Sequence, residues 1–177
     1  ELLPKTRRRM DFLTEKHRYV QAADHIICIS ESTRRDLLKV YPEIHAPISI
    51  AYPGVSTAFR PDVARQAGFP EPYVLHVGNR ASYKDGATLL RAFAAIAGDF
   101  PDLTLFLVGG GPLTKWEREF MDSCGLSGRV QQQSLSDDLV PAAYAQALVT
   151  VFPSRYEGFG LPAVEAMASG SPLILAD

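Results

Sequence analysis

Three short stretches of the chain combine residue types that can hold an anion or a polyol. The most informative reads Ser154-Arg155-Tyr156-Glu157-Gly158-Phe159-Gly160-Leu161-Pro162-Ala163-Val164-Glu165. Gly158 and Gly160 permit an unusual backbone path, and Pro162 suits the first turn of a helix. Glu165 then falls eight residues after Glu157. Exposed N–H groups at a helix start can hold an anion, and two carboxylates can accept hydrogen bonds from sugar hydroxyls. A glycine turn followed by a Glu in a first helical turn, which the dipole favours, is the competing account.

The second stretch, Gly78-Asn79-Arg80-Ala81-Ser82-Tyr83-Lys84-Asp85-Gly86, puts two cations just before a helix start. An Arg fork, a Lys point charge and backbone amides suit a phosphate or diphosphate. A solvated loop with two surface cations is the equal alternative. The third, Val108-Gly109-Gly110-Gly111-Pro112, lets a ligand approach the backbone closely, and a tight turn explains it equally well. It is neither GxGxxG nor GxxxxGK[ST], which argues against a dinucleotide-dependent oxidoreductase. A glycosidase using Glu157 and Glu165 as its carboxylate pair is poorly supported, because nothing else marks a sugar cleft.

These stretches follow strand-like runs. Strands are expected at His25–Ile29, Ile48–Tyr52, Tyr73–Val77, Leu103–Val108, Val130–Ser134, Leu148–Phe152 and Leu173–Leu175. Several are almost continuously apolar, as in strands buried on both faces of a parallel sheet. Helices are expected at Glu31–Val40, Gly86–Ala97, Thr114–Cys124, Asp137–Ala147 and Pro162–Ser169. Thr114 with Glu117 forms a capping box, and Ser136 is placed to cap the helix that Asp137 and Asp138 open. The alternation predicts an α/β fold with a doubly wound, mainly parallel, Rossmann-like sheet, whose ligands sit at the carboxyl ends of strands. From Tyr52 to Pro72 the chain carries four prolines and no clear periodicity, the mark of a connection or a long surface loop. The part before it is too small for an independent α/β domain, so it is the end of another domain or an edge extension.

Composition narrows the classes. With 177 residues, 46% of them hydrophobic, the chain can bury one substantial core but not two full domains. Lysine and arginine number 18 against 20 acidic residues, a net charge of -2, so no overall field favours nucleic acid. The most apolar stretch, Leu103–Val108, is far below the roughly 20 residues of a membrane span, and no secretory signal is visible. Cys28 and Cys124 lack metal-site neighbours and read as reduced core thiols, consistent with a cytoplasmic protein. His76 reads as a strand-end packing residue, and Trp116 with Phe120 as a core-facing stripe. His25 reads as a strand-start histidine, and His17 and His45 have no acidic or Cys companions at metal spacing. The basic run Arg7–Arg9 fits a solvated helix face better than an anionic membrane surface.

At these residues the chain resembles glycosyltransferase family 4, the retaining nucleotide-sugar transferases of the GT-B fold. The match is the Glu-x7-Glu motif EGFGLPAVE from Glu157 to Glu165, supported by VGNRASYKDG and LVGGGP in the other two loops. ADHIICISESTRRDL from Ala22 and AYPGVSTAFRP from Ala51 resemble that family's passage out of its N-terminal domain. The resemblance implies that residues 1–52 close an N-terminal acceptor domain, 53–72 connect, and 73–177 form most of a nucleotide-sugar-binding domain. It further implies that Lys84 and Arg80 bind the donor diphosphate and act in catalysis with Glu157, which contacts the transferred sugar. Glu165 would bind the ribose. Gly158, Phe159, Gly160 and Leu161 would cradle the sugar and phosphate, and Gly109 and Gly110 would line the donor site. In many relatives the loop arginine follows the glycine directly, whereas Asn79 intervenes here. The implied activity is transfer of a sugar from a UDP- or GDP-sugar to a sugar or lipid-linked sugar acceptor, with retention. It needs no metal and no tightly bound cofactor, as in polysaccharide or glycolipid biosynthesis. The expected location is cytoplasmic, with peripheral contact at the inner membrane face left open. A module that binds a nucleotide sugar without catalysis is the alternative.

Overall fold

A computed structural model of the chain describes residues 14–176. The run Arg7–Arg9 lies outside the described residues. The chain forms two compact units, the first ending at Pro53 and the second beginning at Gly54.

In the first unit, helix α1 covers residues 14–22 of the described chain. It is followed by β1 (Ile26–Cys28), α2 (Glu31–Val40) and β2 (Ile48–Ile50). The two strands pair in parallel, with Ile26 opposite Ile48. Ser30 caps α2 by accepting a hydrogen bond from the Thr33 amide at 3.0 Å, and Glu31 complements the helix dipole in the first turn.

The second unit runs β3 (Tyr73–Val77), α3 (Gly86–Ile96), β4 (Thr104–Val108), α4 (Lys115–Ser123), β5 (Val130–Gln133), α5 (Val140–Gln146), β6 (Val149–Phe152), α6 (Leu161–Ala168) and β7 (Leu173–Leu175). Its five strands are all parallel, in the order β5-β4-β3-β6-β7. The chain winds outward from β3 in one direction through β4 and β5, then in the other through β6 and β7. That reversal at the β3–β6 junction is where an open α/β sheet leaves a ligand crevice at its carboxyl edge. The loops that leave β3 and β6 are the two charged stretches of the sequence.

Alternation along β3 and β4 explains the two layers. Val74, Leu105 and Leu107 face Leu89, Leu90, Phe93 and Met121 of α3 and α4. Tyr73, Leu75, Phe106 and Val108 face Ala143, Tyr144 and Ala166 of α5 and α6. Burial on both faces is why β4 reads Thr-Leu-Phe-Leu-Val with every residue buried.

The irregular stretch after Gly54 is anchored by aromatics. Phe59 meets Tyr144 edge-on at 5.8 Å, and Phe69 meets Phe106 at 5.5 Å. It therefore packs on the second unit rather than running free.

Three local expectations change. Helix α5 starts at Val140, not Asp137, because Pro141 has no N–H to give the Asp137 carbonyl; Ser136 serves a turn, its carbonyl accepting the Leu139 amide at 3.0 Å. Trp116 is 43% exposed. Its ring stacks on Phe120 at 5.4 Å, and α4 points Glu117 and Met121 at the core instead. Cys28 is buried, but Cys124 is exposed where α4 ends and Gly125 turns the chain.

Candidate functional site

The loop after β3 is shaped by backbone rather than by core packing. Asn79 Oδ1 accepts the Ala81 amide at 2.8 Å, and Ser82–Lys84 form a single 3-10 turn. Asp85, with φ 51°, is left-handed, a conformation that Asp tolerates better than most side chains. The Gly86 amide then closes on the Arg80 carbonyl at 2.9 Å. This path sends the two cations of the loop to different places.

Arg80 goes inward. Its Nε donates to Glu117 Oε1 at 2.7 Å, Nη1 to the Gly109 carbonyl at 3.1 Å, and Nη2 to the carbonyls of Gly111 and Pro112 at 3.1 and 3.2 Å. Only 5% of the Arg80 side chain is exposed. Four of its five N–H donors are thus engaged inside the protein, which differs from the expected placement on a diphosphate. Glu117 Oε2 accepts the Thr114 amide at 2.6 Å, so one carboxylate both caps α4 and receives the guanidinium. Burial pushes the Glu117 carboxyl up, but the bonds from Arg80 and Thr114 outweigh it and hold the group below the ordinary glutamate value.

The glycines after β4 serve this contact. Gly110 has φ +69°, and a Cβ there would lie 2.4 Å from the Gly78 carbonyl oxygen and 2.8 Å from Arg80 Nη1. Gly109 gives its amide to the Gln133 carbonyl at 2.8 Å while its own carbonyl holds Arg80.

Lys84 goes the other way. Its Nζ donates to Glu157 Oε1 at 2.5 Å, with side-chain exposures of 20% and 23%. The ammonium also lies 5.3 Å from the ring centroids of both Tyr83 and Phe152. Glu157 rides on the loop after β6, so this pair spans the sheet crevice. The cleft beside it, about 270 Å³, is lined by Phe152, Glu157, Phe159, Gly160 and Ala163. Below the crevice, His76 is buried, with Nδ1 3.1 Å from the Val151 carbonyl. Burial holds its pKa below the ordinary value. It packs and bonds within the sheet.

Gly160, with φ +86°, brings the chain into α6, where Leu161 and Pro162 open the helix without a side-chain cap. One turn on, Glu165 Oε2 accepts the Tyr144 hydroxyl at 3.1 Å. Burial pushes the Glu165 carboxyl up, and the Tyr144 bond only partly offsets this. The structure thus places Lys84, Glu157, Gly158–Leu161 and Glu165 along one edge of the sheet, with Arg80 beneath the neighbouring loop. Among the described residues no cluster of three or more His, Cys, Asp or Glu could hold a metal ion, and no helix is long and apolar enough to cross a membrane.

Sequence reasoning missed four side chains: Glu117, Tyr144, Asp85 and Arg155. Glu117 was visible only as a cap. Tyr144 lies inside the predicted helix Asp137–Ala147, where nothing local marks its hydroxyl as the partner of Glu165. The link between Asp85 and Arg155 depends on two loops 70 residues apart, which no local signal reports.

The sheet order, with two charged loops at its switch point, defines a doubly wound, Rossmann-like α/β unit with a ligand crevice at the carboxyl edge. The chain belongs to the family Glycosyl transferases group 1, whose model matches residues 60–177. It is 35% identical over 130 residues to mannosylfructose-phosphate synthase of Agrobacterium fabrum, covering 68% of this chain and 29% of that protein. It is 32% identical to D-inositol 3-phosphate glycosyltransferase of Thermobifida fusca, covering 89% of this chain and 40% of that one. The MMP alpha-(1->4)-mannosyltransferase of Mycolicibacterium hassiacum is 31% identical over 97% of this chain and 41% of its own. The chain therefore spans between 29% and 41% of the length of these relatives. Among solved structures, sucrose-phosphate synthase from Thermosynechococcus elongatus superposes with a TM-score of 0.70 at 29% identity, over 92% of this chain and 43% of that one. The pneumococcal O-GlcNAc transferase GtfA, solved with UDP and GlcNAc, shares the fold with a TM-score of 0.74 at 22% identity, over 91% of this chain and 32% of its own.

Proposed function

We propose that the second unit is the donor-binding part of a retaining, metal-independent hexosyltransferase of the family 4 type. The first unit is then the closing segment of the acceptor domain, and the connecting stretch 53–72 belongs from Gly54 onward to the second unit. The observation that carries the proposal is the Lys84–Glu157 pair, which spans the crevice at the sheet's switch point. The donor is a UDP- or GDP-sugar and the acceptor is a sugar or lipid-linked sugar.

Each residue has a role that its position supports. Lys84 binds the diphosphate, and its charge stabilises the negative charge that grows on the departing phosphate oxygen. The backbone from Gly158 to Leu161, which leads into α6 beside Glu157, helps to cradle the same anion. Glu157, held by Lys84, accepts hydrogen bonds from sugar hydroxyls, and Glu165 accepts them from the ribose. In the transfer the bond from the sugar C1 to the phosphate oxygen breaks and a bond to the acceptor oxygen forms on the same face. The acceptor's proton ends on the departing diphosphate. Metal independence rests on Lys84 supplying the positive charge. Arg80 acts at one remove, by fixing the loop that carries Lys84.

The test is turnover of UDP- and GDP-sugars by the intact protein. Lys84→Ala and Glu157→Ala should each lower it by roughly 100-fold or more. Unchanged turnover in either variant would refute the assignment of that residue. Nucleotide-sugar binding without turnover in the unmodified protein would favour the non-catalytic module.

A further inference from the structure

We propose that Asp85 and Arg155 form a positioning pair, tying the loop after β3 to the loop after β6 so that Lys84 and Glu157 stay in register when the donor binds. The inference rests on the donor-site reading above and adds two residues to it.

The contacts lie next to the site. Arg155 Nε donates to Asp85 Oδ2 at 2.7 Å, and the Arg155 amide donates to the Tyr83 carbonyl at 2.8 Å. Tyr83 and Tyr156 add an edge contact, their ring centroids 6.5 Å apart. Asp85 immediately follows Lys84, and Arg155 precedes Glu157 by two residues. Side-chain, backbone and ring contacts therefore join the residues flanking Lys84 to the two that precede Glu157.

The two partners are built differently. Asp85 is a fixed post: its side chain is 12% exposed, and its Oδ2 also accepts the Thr88 hydroxyl at 2.9 Å at the start of α3. Arg155 is 71% exposed and reaches over to that post. An exposed ion pair of this kind adds little to global stability, so its contribution lies elsewhere. Lys84 offers its ammonium to Glu157, and an arriving diphosphate competes for the same charge. As that bond loosens, the Asp85–Arg155 link is what keeps the loops at a fixed separation. Misplacement of a binding group by about 1 Å can cost on the order of 100-fold in rate.

The experiment is steady-state kinetics on the intact protein with Arg155→Met, Arg155→Lys, Asp85→Asn and the double variant Asp85→Asn/Arg155→Met, with Lys84→Ala as control. Arg155→Met should lower kcat/KM for the donor by roughly tenfold, mainly through KM. The acceptor KM should stay unchanged, and the melting temperature should move by less than about 4 °C. Arg155→Lys should recover most of the loss, and the double variant should be no worse than Arg155→Met. Arg155→Met within about twofold of the unmodified protein, or losses that add in the double variant, would overturn the pairing. A rise in the acceptor KM alone would make Arg155 an acceptor contact and overturn it equally. If Lys84→Ala is inactive while Arg155→Met is silent, only this inference fails; if Lys84→Ala is also silent, the donor-site reading falls with it.

Discussion

Arg80 Nε and Glu117 Oε1 meet at 2.7 Å with only 5% and 6% of their side chains exposed, joining the loop after β3 to the first turn of α4. Removing one member of a buried ion pair strands the other, at a cost of about 3–5 kcal/mol, whereas replacing both with apolar groups can be nearly neutral. Arg80→Met and Glu117→Leu should each cost that much in urea denaturation, and the double variant should be more stable than either. Glu117 titrates below its ordinary value of 4.5 in the folded state. Its stabilisation is therefore complete above that pH and is lost as the pH falls through the lowered value.

His76 should set an earlier acid limit. Its ring is 1% exposed and titrates below 6.5 when folded, mainly through burial. The unfolded chain takes up a proton at pH values where the folded one does not, so stability declines as the pH drops below 6.5. Denaturation midpoints between about pH 5 and 6.5 should fall for the unmodified protein and change less for His76→Gln.

Glu165 works in the opposite sense. Its carboxyl is raised, so ionisation costs folding stability that is recovered as the pH falls toward the ordinary 4.5. Glu165→Gln should accordingly be no less stable than the unmodified protein at neutral pH. In the proposed role Glu165 accepts hydrogen bonds from the ribose hydroxyls as a carboxylate, so nucleoside diphosphate binding should follow its ionisation. The affinity should weaken at a higher pH than an ordinary glutamate would dictate, and this dependence should vanish in Glu165→Gln. A calorimetric pH series reads both.

At Gly110 any Cβ meets the Gly78 carbonyl, and φ is +69°. Gly110→Ala should destabilise by at least about 1–2 kcal/mol from the left-handed backbone alone. It should also displace the Lys84 loop, seen as a rise in the donor KM. Gly111→Ala has φ +74° but open space around it, so it should show the backbone cost without the kinetic one.

Much of the architecture was legible because parallel strands buried on both faces leave long apolar runs, and β3 and β7 were bounded to the residue. Motif spacing likewise placed Lys84 and Glu157 on loops after strands. Glu165, expected in the first turn of α6, lies one turn further in because the helix already starts at Leu161. What escaped was set by tertiary contact. The intervening Asn79 already set Arg80 apart from the usual loop arginine, but its inward course depends on a carboxylate 37 residues away, which leaves Lys84 across the crevice. Trp116 seemed a core residue because helical periodicity cannot foresee that a glutamate will take the inward face of α4. The start of α5 was misjudged by favouring acidic first-turn residues over the missing donor at Pro141.

The central claim is that the Lys84 edge of the sheet holds a nucleoside diphosphate. Calorimetric titration of the intact protein with UDP and GDP, beside Lys84→Ala, tests it most directly. At least one nucleotide should bind the unmodified protein, and Lys84→Ala should weaken that binding by roughly tenfold or more, the loss of one charge-assisted contact. Equal affinity in the two proteins would contradict it.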